Sequence, residues 1–530
     1  MVIIIILAAF IIVVAVYIIL CRHNFQKLTN TPICNPIDTS HQSSRVVIIG
    51  AGVSGIAAAK TFLQYGYKDI VLLERSNELG GVWNSSQYAG ASIQQVYWLY
   101  AYPDFPWPKD LVAEDVSPGK AAVQEYLRRY AERHGVLDRI RYGCEVKTAI
   151  RDEENETWAV DTVQYGVLTA DILIMAVGNN DSSNPIIPKL PNREIYGGKV
   201  LHSSQVRDGT ALREADKIVI IGGSKSAYDM GQFQPDKTTL IMRTPHYWFP
   251  RWTLRFPFFD RSACYLFRGY RVDRQQRSLI VRFLDEIVMP LFAVGLNKPT
   301  CRSILDDIMV GGGIHVCTTL SQYENAKKWN LIRSSPVAYT TDGLKLANGE
   351  IIDADVVVWG TGFEPTTFFE KVFPGVDLQD SLDDGLYLYK YIAHPSLPQC
   401  YFVGFKDPSL NTMCNVSLQS VWAACCAAGV VKVPDAKEMR QLLDERQRDT
   451  RHRFPYSHRR GFYDYFLRPP NCDITYGKDL VRDCGFEDRL AGFWCNPVNI
   501  WTASVDFNAI LSMPIQYYTQ SIDSESNALV

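Results

Sequence analysis

Gly50, Gly52 and Gly55 stand in the order G-x-G-x-x-G, and Glu74 follows within the same apolar unit. Glycines at that spacing break no bonds themselves. The first makes a sharp turn, the second lets a pyrophosphate lie against bare backbone, and the third lets a helix meet a strand. Val53 and Ser54 open the segment that follows, where free N–H groups and a partial positive charge favour phosphate. Glu74, with Arg75 beside it, is placed to accept hydrogen bonds from an adenosine ribose. A second turn, GGSKSA, runs from Gly222 to Ala227. Ser224 takes the middle position there. Its Cβ crowds an approaching pyrophosphate, while its hydroxyl offers a donor in exchange. Lys225 and Ser226 add a positive charge and a second hydroxyl. The next apolar run ends at Arg243 and not at an acidic residue, which suits the 2′-phosphate of NADP and disfavours NAD. No catalytic triad, carboxylate pair or metal-ligand cluster is evident.

Those residues matter only if regular elements hold them. Residues 46–49 are β-branched and apolar and read as a buried parallel strand. Residues 56–65 are Ala-rich and suit a helix packed on a sheet, and 70–73 form a second strand ending at Glu74. The second turn has strands at 218–221 and 239–242. Residues 121–134 have helical periodicity. Residues 141–146 and 158–163 read as short antiparallel strands, and 171–176 as a buried one. The doubly wound rhythm resumes at 313–316 and 355–358 and closes on WGTGF, 359–363. Residues 418–431 read as a helix rich in Ala and Cys.

The expected fold is α/β, with two Rossmann-like dinucleotide-binding domains, the second inserted in the first. Residues 45–195 and 346–431 would form the first domain and 196–345 the second. Residues 432–530 are a C-terminal extension without a recognised motif. The stretch from 246 to about 300 breaks the pattern. It is aromatic and basic, HYWFPRWTLRFPFF followed by an amphipathic segment at 278–288. An inserted packing domain, a substrate-domain insertion and a membrane-surface contact all fit it.

The chain has 530 residues, 47% hydrophobic and 21% charged, which is globular composition with room for a large core. A net charge of −3 argues against nucleic acid as a partner. The 13 Cys lack C-x-x-C spacing, so reduced buried thiols fit better than disulfides or zinc. Residues 2–20 are unbroken apolar sequence, roughly 28 Å long as a helix, close to the thickness of a bilayer core. A signal peptide would want a basic start and a shorter apolar core. The expectation is a single-pass membrane anchor followed by a polar linker at 21–44. Arg22, His23 and Lys27 after the anchor place the main body in the cytosol, with the endoplasmic reticulum the expected membrane. Nothing in the residues fixes an oligomeric state.

Between the two turns lies YGGKVLHSS, in which Tyr196, Gly198 and His202 are similar to the F-x-G-x-x-x-H fingerprint of class B flavoprotein monooxygenases. Gly80-Gly81-Val82-Trp83, DFPWP, LQSVW at Leu418 and the late Thr361-Gly362-Phe363 also resemble that family. The motifs occur in its order over roughly 45–431. Tyr196 replaces the usual Phe. Val206, four residues beyond His202, stands where flavin-containing monooxygenases tend to have an aromatic and Baeyer–Villiger enzymes a Trp. The resemblance implies FAD and NADPH as cofactors and O₂ and a small, apolar organic molecule as substrates. It implies that NADPH reduces the flavin, and that a C4a-(hydro)peroxyflavin then delivers one oxygen atom. Gly81, Val82, Trp83, Thr361 and Gly362 would join the glycine turn around FAD. Gly222, Ser224, Lys225, Ser226 and Arg243 would hold NADPH. His202 and Gly198, as the candidate catalytic residues, would couple the two sites. A Baeyer–Villiger oxygenase and a nucleotide-binding scaffold without turnover are the alternatives.

Overall fold

The computed structural model describes residues 43–485, apart from 85–87, 89, 94–96, 98–99, 113–116, 179–183, 244–245, 251–274, 276–277, 296–302, 305–312, 318, 365, 377, 379–385, 406–411 and 454–473. The anchor expected at 2–20 and most of the 246–300 stretch therefore lie outside the described residues. Among the described residues no helix is long and apolar enough to cross a membrane.

Two five-stranded parallel sheets organise the chain. The first contains β1 (Val46–Ile49), β2 (Ile70–Leu73), β3 (Ile140–Arg141), β7 (Ile172–Met175) and β18 (Cys400–Phe402). Its spatial order is β18-β7-β1-β2-β3. Val46 and Ile48 face one core and Val47 and Ile49 another, because alternate strand residues point to opposite faces. Helix α1 (Val53–Gln64) and helix α2 (Lys120–Arg133) cover the first face. An antiparallel sheet of β4 (Val146–Asp152), β5 (Thr157–Thr162) and β6 (Gly166–Ala170) covers the other. The 141–146 expectation shifts accordingly: residues 140–141 add a parallel edge strand, and the antiparallel sheet starts at 146.

The second sheet has the order β13-β10-β9-β17-β8. Its strands are β8 (Lys199–His202), β9 (Ile218–Ile221), β10 (Thr238–Met242), β13 (Asn330–Arg333) and β17 (Val356–Trp359). Helix α3 (Lys225–Gly231) follows β9. Strand β17 pairs with both β9 and β8, so the second unit extends to Trp359 and the boundary expected at 346 falls too early. The antiparallel strands β14 (Pro336–Tyr339), β15 (Gly343–Leu346) and β16 (Ile351–Asp353) pack on this sheet, not on the first. Strand β12 (Gly313–Cys317) also departs from expectation. It pairs with β11 (His246–Pro250) in a separate two-stranded parallel sheet.

Helix α4 (Thr412–Ala427) lies on α1 in the first core. Small residues on both, Ala57 and Ala58 against Ala423 and Ala424, leave room for close backbones. Described residues of the C-terminal extension belong to this unit. Helix α5 (Ile474–Asp483) contributes Tyr476, Leu480 and Val481 to the same core, and Asp483 accepts from Trp422 Nε1 at 3.0 Å.

Candidate functional site

The first glycine turn is built backbone against backbone. Gly50 has φ +104°, and a Cβ there would lie 2.6 Å from the Ala176 carbonyl oxygen. A Cβ at Gly55 would lie 1.9 Å from the Gly50 carbonyl oxygen. Gly52 is different. Its φ of −82° and ψ of −168° suit any residue, and a Cβ there would make ordinary contact, 3.5 Å from Gly81 Cα. What Gly52 provides is bare surface at the start of α1, which is what a pyrophosphate needs. Gly81, at φ +57°, lies across from it, and Gly80 N–H donates to the Ala51 carbonyl at 2.9 Å. The Gly80-Gly81 pair is thus the second wall of a glycine-lined cradle that fits a flavin dinucleotide.

Glu74 is buried at the base of this cradle. Its Oε2 accepts from Ala51 N–H at 2.9 Å, and its Oε1 accepts from Ser76 N–H at 2.9 Å and Ser76 Oγ at 2.8 Å. The carboxylate therefore fixes the glycine turn itself, and only its remaining acceptor capacity is left for a ribose. Arg75 points outward. Ser54 is pressed against Gly404, where a Cβ would lie 1.8 Å from the Ser54 Oγ, so the loop after β18 closes over the first turn of α1. Gly404 N–H in turn donates to Gln419 Oε1 at 2.8 Å, which gives the LQSVW stretch its role. Val82 is exposed and Trp83 half-buried, with Trp83 Nε1 donating to Tyr100 Oη at 2.9 Å. The dense aromatics divide in two. Tyr102 and Trp107 are core, and Tyr102 Oη donates to the Val53 carbonyl at 2.6 Å. Trp83 and Tyr100 stand beside Gly81.

The second turn repeats the first. Gly222 has φ +122°, and a Cβ there would lie 2.4 Å from the Gly360 carbonyl oxygen. Ser224 has φ −79° and ψ −178°, nearly the backbone of Gly52. That geometry makes no demand for glycine, which is why serine is accommodated. Ser224 is exposed, and its side chain does not cap α3. Lys225 turns back along the helix to pair with Asp229, so its charge is partly spent within the protein. Arg243 is exposed just beyond the carboxyl end of β10. Beside it the sequence reading missed Arg333, which ends β13, pairs in register with Met242, and donates through Nε to the Arg243 carbonyl at 3.5 Å. Two guanidinium groups at adjacent strand ends fit a 2′-phosphate better than one. The cue was present, since NLIR ends in a cation just as TLIMR does.

The fingerprint residues turn out to be mechanical. His202 is fully buried at the end of β8. Its Nε2 donates to the Gly362 carbonyl at 3.0 Å, and its Nδ1 accepts from Ser204 N–H at 3.2 Å. Burial holds its pKa below the usual histidine value, against the pull of the Gly362 bond. A ring with both nitrogens engaged in this way is held as a clamp. Gly198 is not chemical either: a Cβ there would lie 2.2 Å from the Tyr196 Oη. That hydroxyl donates to the Ala354 carbonyl at 2.8 Å. Thr361 and Gly362 also serve the crossing between units. Ile186 N–H donates to the Gly362 carbonyl at 2.9 Å, Thr361 Oγ1 donates to the Ile186 carbonyl, and Glu364 N–H donates to the Asn184 carbonyl at 3.0 Å. The outgoing chain at 184–186 and the returning chain at 362–364 are therefore laced together, and His202 locks that ribbon to the second sheet. Val206 is buried in the second core.

The chain matches the model of the flavin-binding monooxygenase-like family over residues 43–242 and 333–467. It is 28% identical over 349 residues to a Baeyer–Villiger monooxygenase of Streptomyces coelicolor, a match covering 62% of this chain and 65% of the relative, just under two thirds of its length. It is 25% identical over 507 residues to probable flavin-containing monooxygenase 1 of Arabidopsis thaliana, covering 84% of this chain and 92% of that one. Among solved structures, an oxidised steroid monooxygenase bound to NADP shares the fold with a TM-score of 0.58 at 18% identity, covering 84% and 98% of the two chains. The S-allyl-L-cysteine S-oxygenase of Allium sativum does so at 0.57 and 18% identity, covering 84% and 89%.

Proposed function

The chain belongs to the flavin-binding monooxygenase-like family, and on that footing we propose that it is a membrane-anchored enzyme using FAD, NADPH and O₂ to place one oxygen atom in a small apolar molecule. The observation that carries this reading is the repeated turn. Two parallel sheets each end in the same backbone geometry, at Gly52 and at Ser224, and a laced hinge joins them. FAD, when bound, supplies the activation of oxygen after reduction by NADPH. The protein's own residues do the rest. Gly50, Gly52 and Gly81 offer backbone to the flavin's phosphates. Arg243 and Arg333 select the phosphorylated nicotinamide. His202 and Thr361 keep the two units in register, and Tyr196 braces the entry to β8, without moving a proton.

Val206 supports oxygenation of a nitrogen or sulfur centre over ester insertion, because that position is turned into the core and carries no Trp. The membrane reading is supported by the helical stretch at 279–292. Leu279, Phe283, Ile287 and Leu291 recur every four residues and are 80%, 58%, 54% and 71% exposed. An apolar stripe of that kind is a contact surface.

The test uses the full chain in detergent. A flavin spectrum, NADPH-dependent O₂ uptake and ¹⁸O incorporation from ¹⁸O₂ into a sulfide or amine, within a panel that includes ketones and phenols, are expected. Colourless protein that cannot be reconstituted with FAD would end the proposal. Stoichiometric FAD without NADPH oxidation by any substrate would favour the scaffold. An ¹⁸O-labelled ester from a ketone would move the assignment to Baeyer–Villiger chemistry. Removal of residues before Ser44 is expected to release the chain from sedimented membranes, and retention would transfer the attachment to the 279–291 stripe.

A further inference from the structure

One buried ionic group has no part in the chemistry described above. Asp229, in the middle of α3, is 5% exposed. Two donors reach it from different directions. Lys225, one turn earlier on α3, pairs with Oδ1. Tyr88 Oη donates to Oδ2 at 2.7 Å. Tyr88 comes from the first unit, between Trp83 and α2, yet its ring packs on the apolar core of the second. Burial raises the pKa of Asp229 while the Lys225 charge opposes it, and burial followed by the Asp229 charge raises that of the Tyr88 hydroxyl. Tyr88 therefore stays a donor at any working pH.

We propose that Tyr88, Asp229 and Lys225 form a latch between the two units, and that Tyr88 and Asp229 are positioning residues for hydride transfer from NADPH to the flavin. The inference rests on the two-cofactor reading and adds a device to it. The hinge at 184–186 and 362–364 joins the units at one edge. The Tyr88–Asp229 bond joins them at a second place, on α3 one helical turn beyond Lys225. Two separated attachments fix an angle where one leaves a swivel. Among the described residues each carboxylate oxygen serves one donor, so losing the Tyr88 hydroxyl takes away the described partner of Oδ2, a defect that rotation of one unit against the other relieves. Hydride transfer tolerates little misplacement, so the cost appears in the rate of reduction and not in cofactor affinity. A bond that merely stabilised the fold would lower the melting temperature and leave that rate alone.

The experiment is anaerobic stopped-flow reduction of the full-length, FAD-loaded protein by NADPH. In Tyr88→Phe the rate constant at saturating NADPH is expected to fall roughly tenfold or more, the scale set by a hydrogen bond to a charged group. FAD content is expected to be unchanged, and NADP⁺ affinity to stay within about twofold, since the ring and Lys225 remain. Asp229→Asn is expected to slow reduction as well. The double variant should then be no slower than Asp229→Asn alone, because the asparagine already takes from Tyr88 the charged acceptor on which its role depends. Reduction in Tyr88→Phe at the wild-type rate would overturn the latch, as would additive effects in the double variant. Loss of FAD or of a cooperative melt in Tyr88→Phe would also overturn it, by making Tyr88 a folding residue. A wild-type protein that NADPH does not reduce at all would instead refute the two-cofactor reading.

Discussion

Replacing Gly52 and Gly55 separately by alanine should separate folding from cofactor binding. At Gly52 the backbone is extended and a new methyl would meet Gly81 Cα at 3.5 Å, an ordinary contact. Alanine there is sterically compatible and lowers the entropy of the unfolded chain, so stability of the apo-protein should change by less than about 1 kcal/mol. The methyl does, however, stand on the bare face between the two glycine walls. If the pyrophosphate lies there, it must retreat from the N–H groups at the start of α1. Losing one to two such charge-assisted bonds costs roughly 1.5–3 kcal/mol, or about a tenfold to hundredfold loss of FAD affinity. At Gly55 the same methyl would sit 1.9 Å from the Gly50 carbonyl oxygen. Backbone cannot yield that far without opening the β1–α1 contact, so a loss of roughly 3 kcal/mol or more is expected. Urea unfolding of apo-protein and fluorescence titration with FAD measure the two quantities independently. Gly52→Ala binding FAD with native affinity would refute the assignment of that face to the phosphates. Gly55→Ala with native stability would refute the packing argument.

The arginine pair should govern coenzyme preference. Arg243→Ala is expected to weaken NADPH by roughly 1.5–3 kcal/mol with little effect on NADH. Arg333→Ala should contribute a smaller loss of roughly 1 kcal/mol, as its group is exposed. The ratio of kcat/KM for the two coenzymes reads both, and an unchanged ratio in both variants would remove the pair from the 2′-phosphate. Stability should also fall with acid. Burial holds the pKa of His134 down to about 4, with Asp104 opposing and Lys60 and Arg133 reinforcing. Its folded pKa lies below the unfolded value near 6.5, so the unfolded chain takes up the proton first. The contribution is complete above pH 6.5, declines as pH falls, and levels off below about pH 4. By pH 5 roughly 2 kcal/mol of it has been lost. His394, also held at about 4 by burial, adds in the same sense. Urea midpoints at pH 7.5 and 5 should differ less in His134→Gln than in wild type, and an equal difference would refute the assignment.

The dinucleotide units were legible because their signals are local. A β-branched run, three spaced glycines and an Ala-rich helix specify strand, turn and helix within one stretch, and β1, α1 and β2 lie where those residues put them. What a strand pairs with is not local. The apolar run at β12 announces a strand equally well whichever sheet takes it, and among the described residues it pairs with β11. The same holds for 346–353, expected in the first unit, which instead complete the antiparallel sheet of the second. The amphipathic α5 gave no motif, although it caps the first core. Its partners on α4 are distant in sequence, as in the bond from Trp422 to Asp483.

His202 shows why residue type is a weaker guide than surroundings. An isolated histidine in a fingerprint invites a proton-transfer role, and a pKa near neutrality would permit one. Complete burial disfavours its charged form, and its two nitrogens already hold the Gly362 carbonyl and the Ser204 N–H. Such a ring gains no new partner by titrating, because the Ser204 N–H and the Ser204 Oγ, 2.8 Å away, already surround Nδ1. What it does gain is a fixed orientation, and through it a fixed angle between β8 and the ribbon that returns to the flavin unit. Tyr196, with its hydroxyl on Ala354, and Gly198, with no room for a Cβ beneath that hydroxyl, brace the entry to β8 from within the second unit, four to six residues earlier. The fingerprint thus reads as one contact at the joint and two that support it. In an enzyme whose bond-making is carried by two cofactors, the joint between their seats is where the protein's own residues are most constrained.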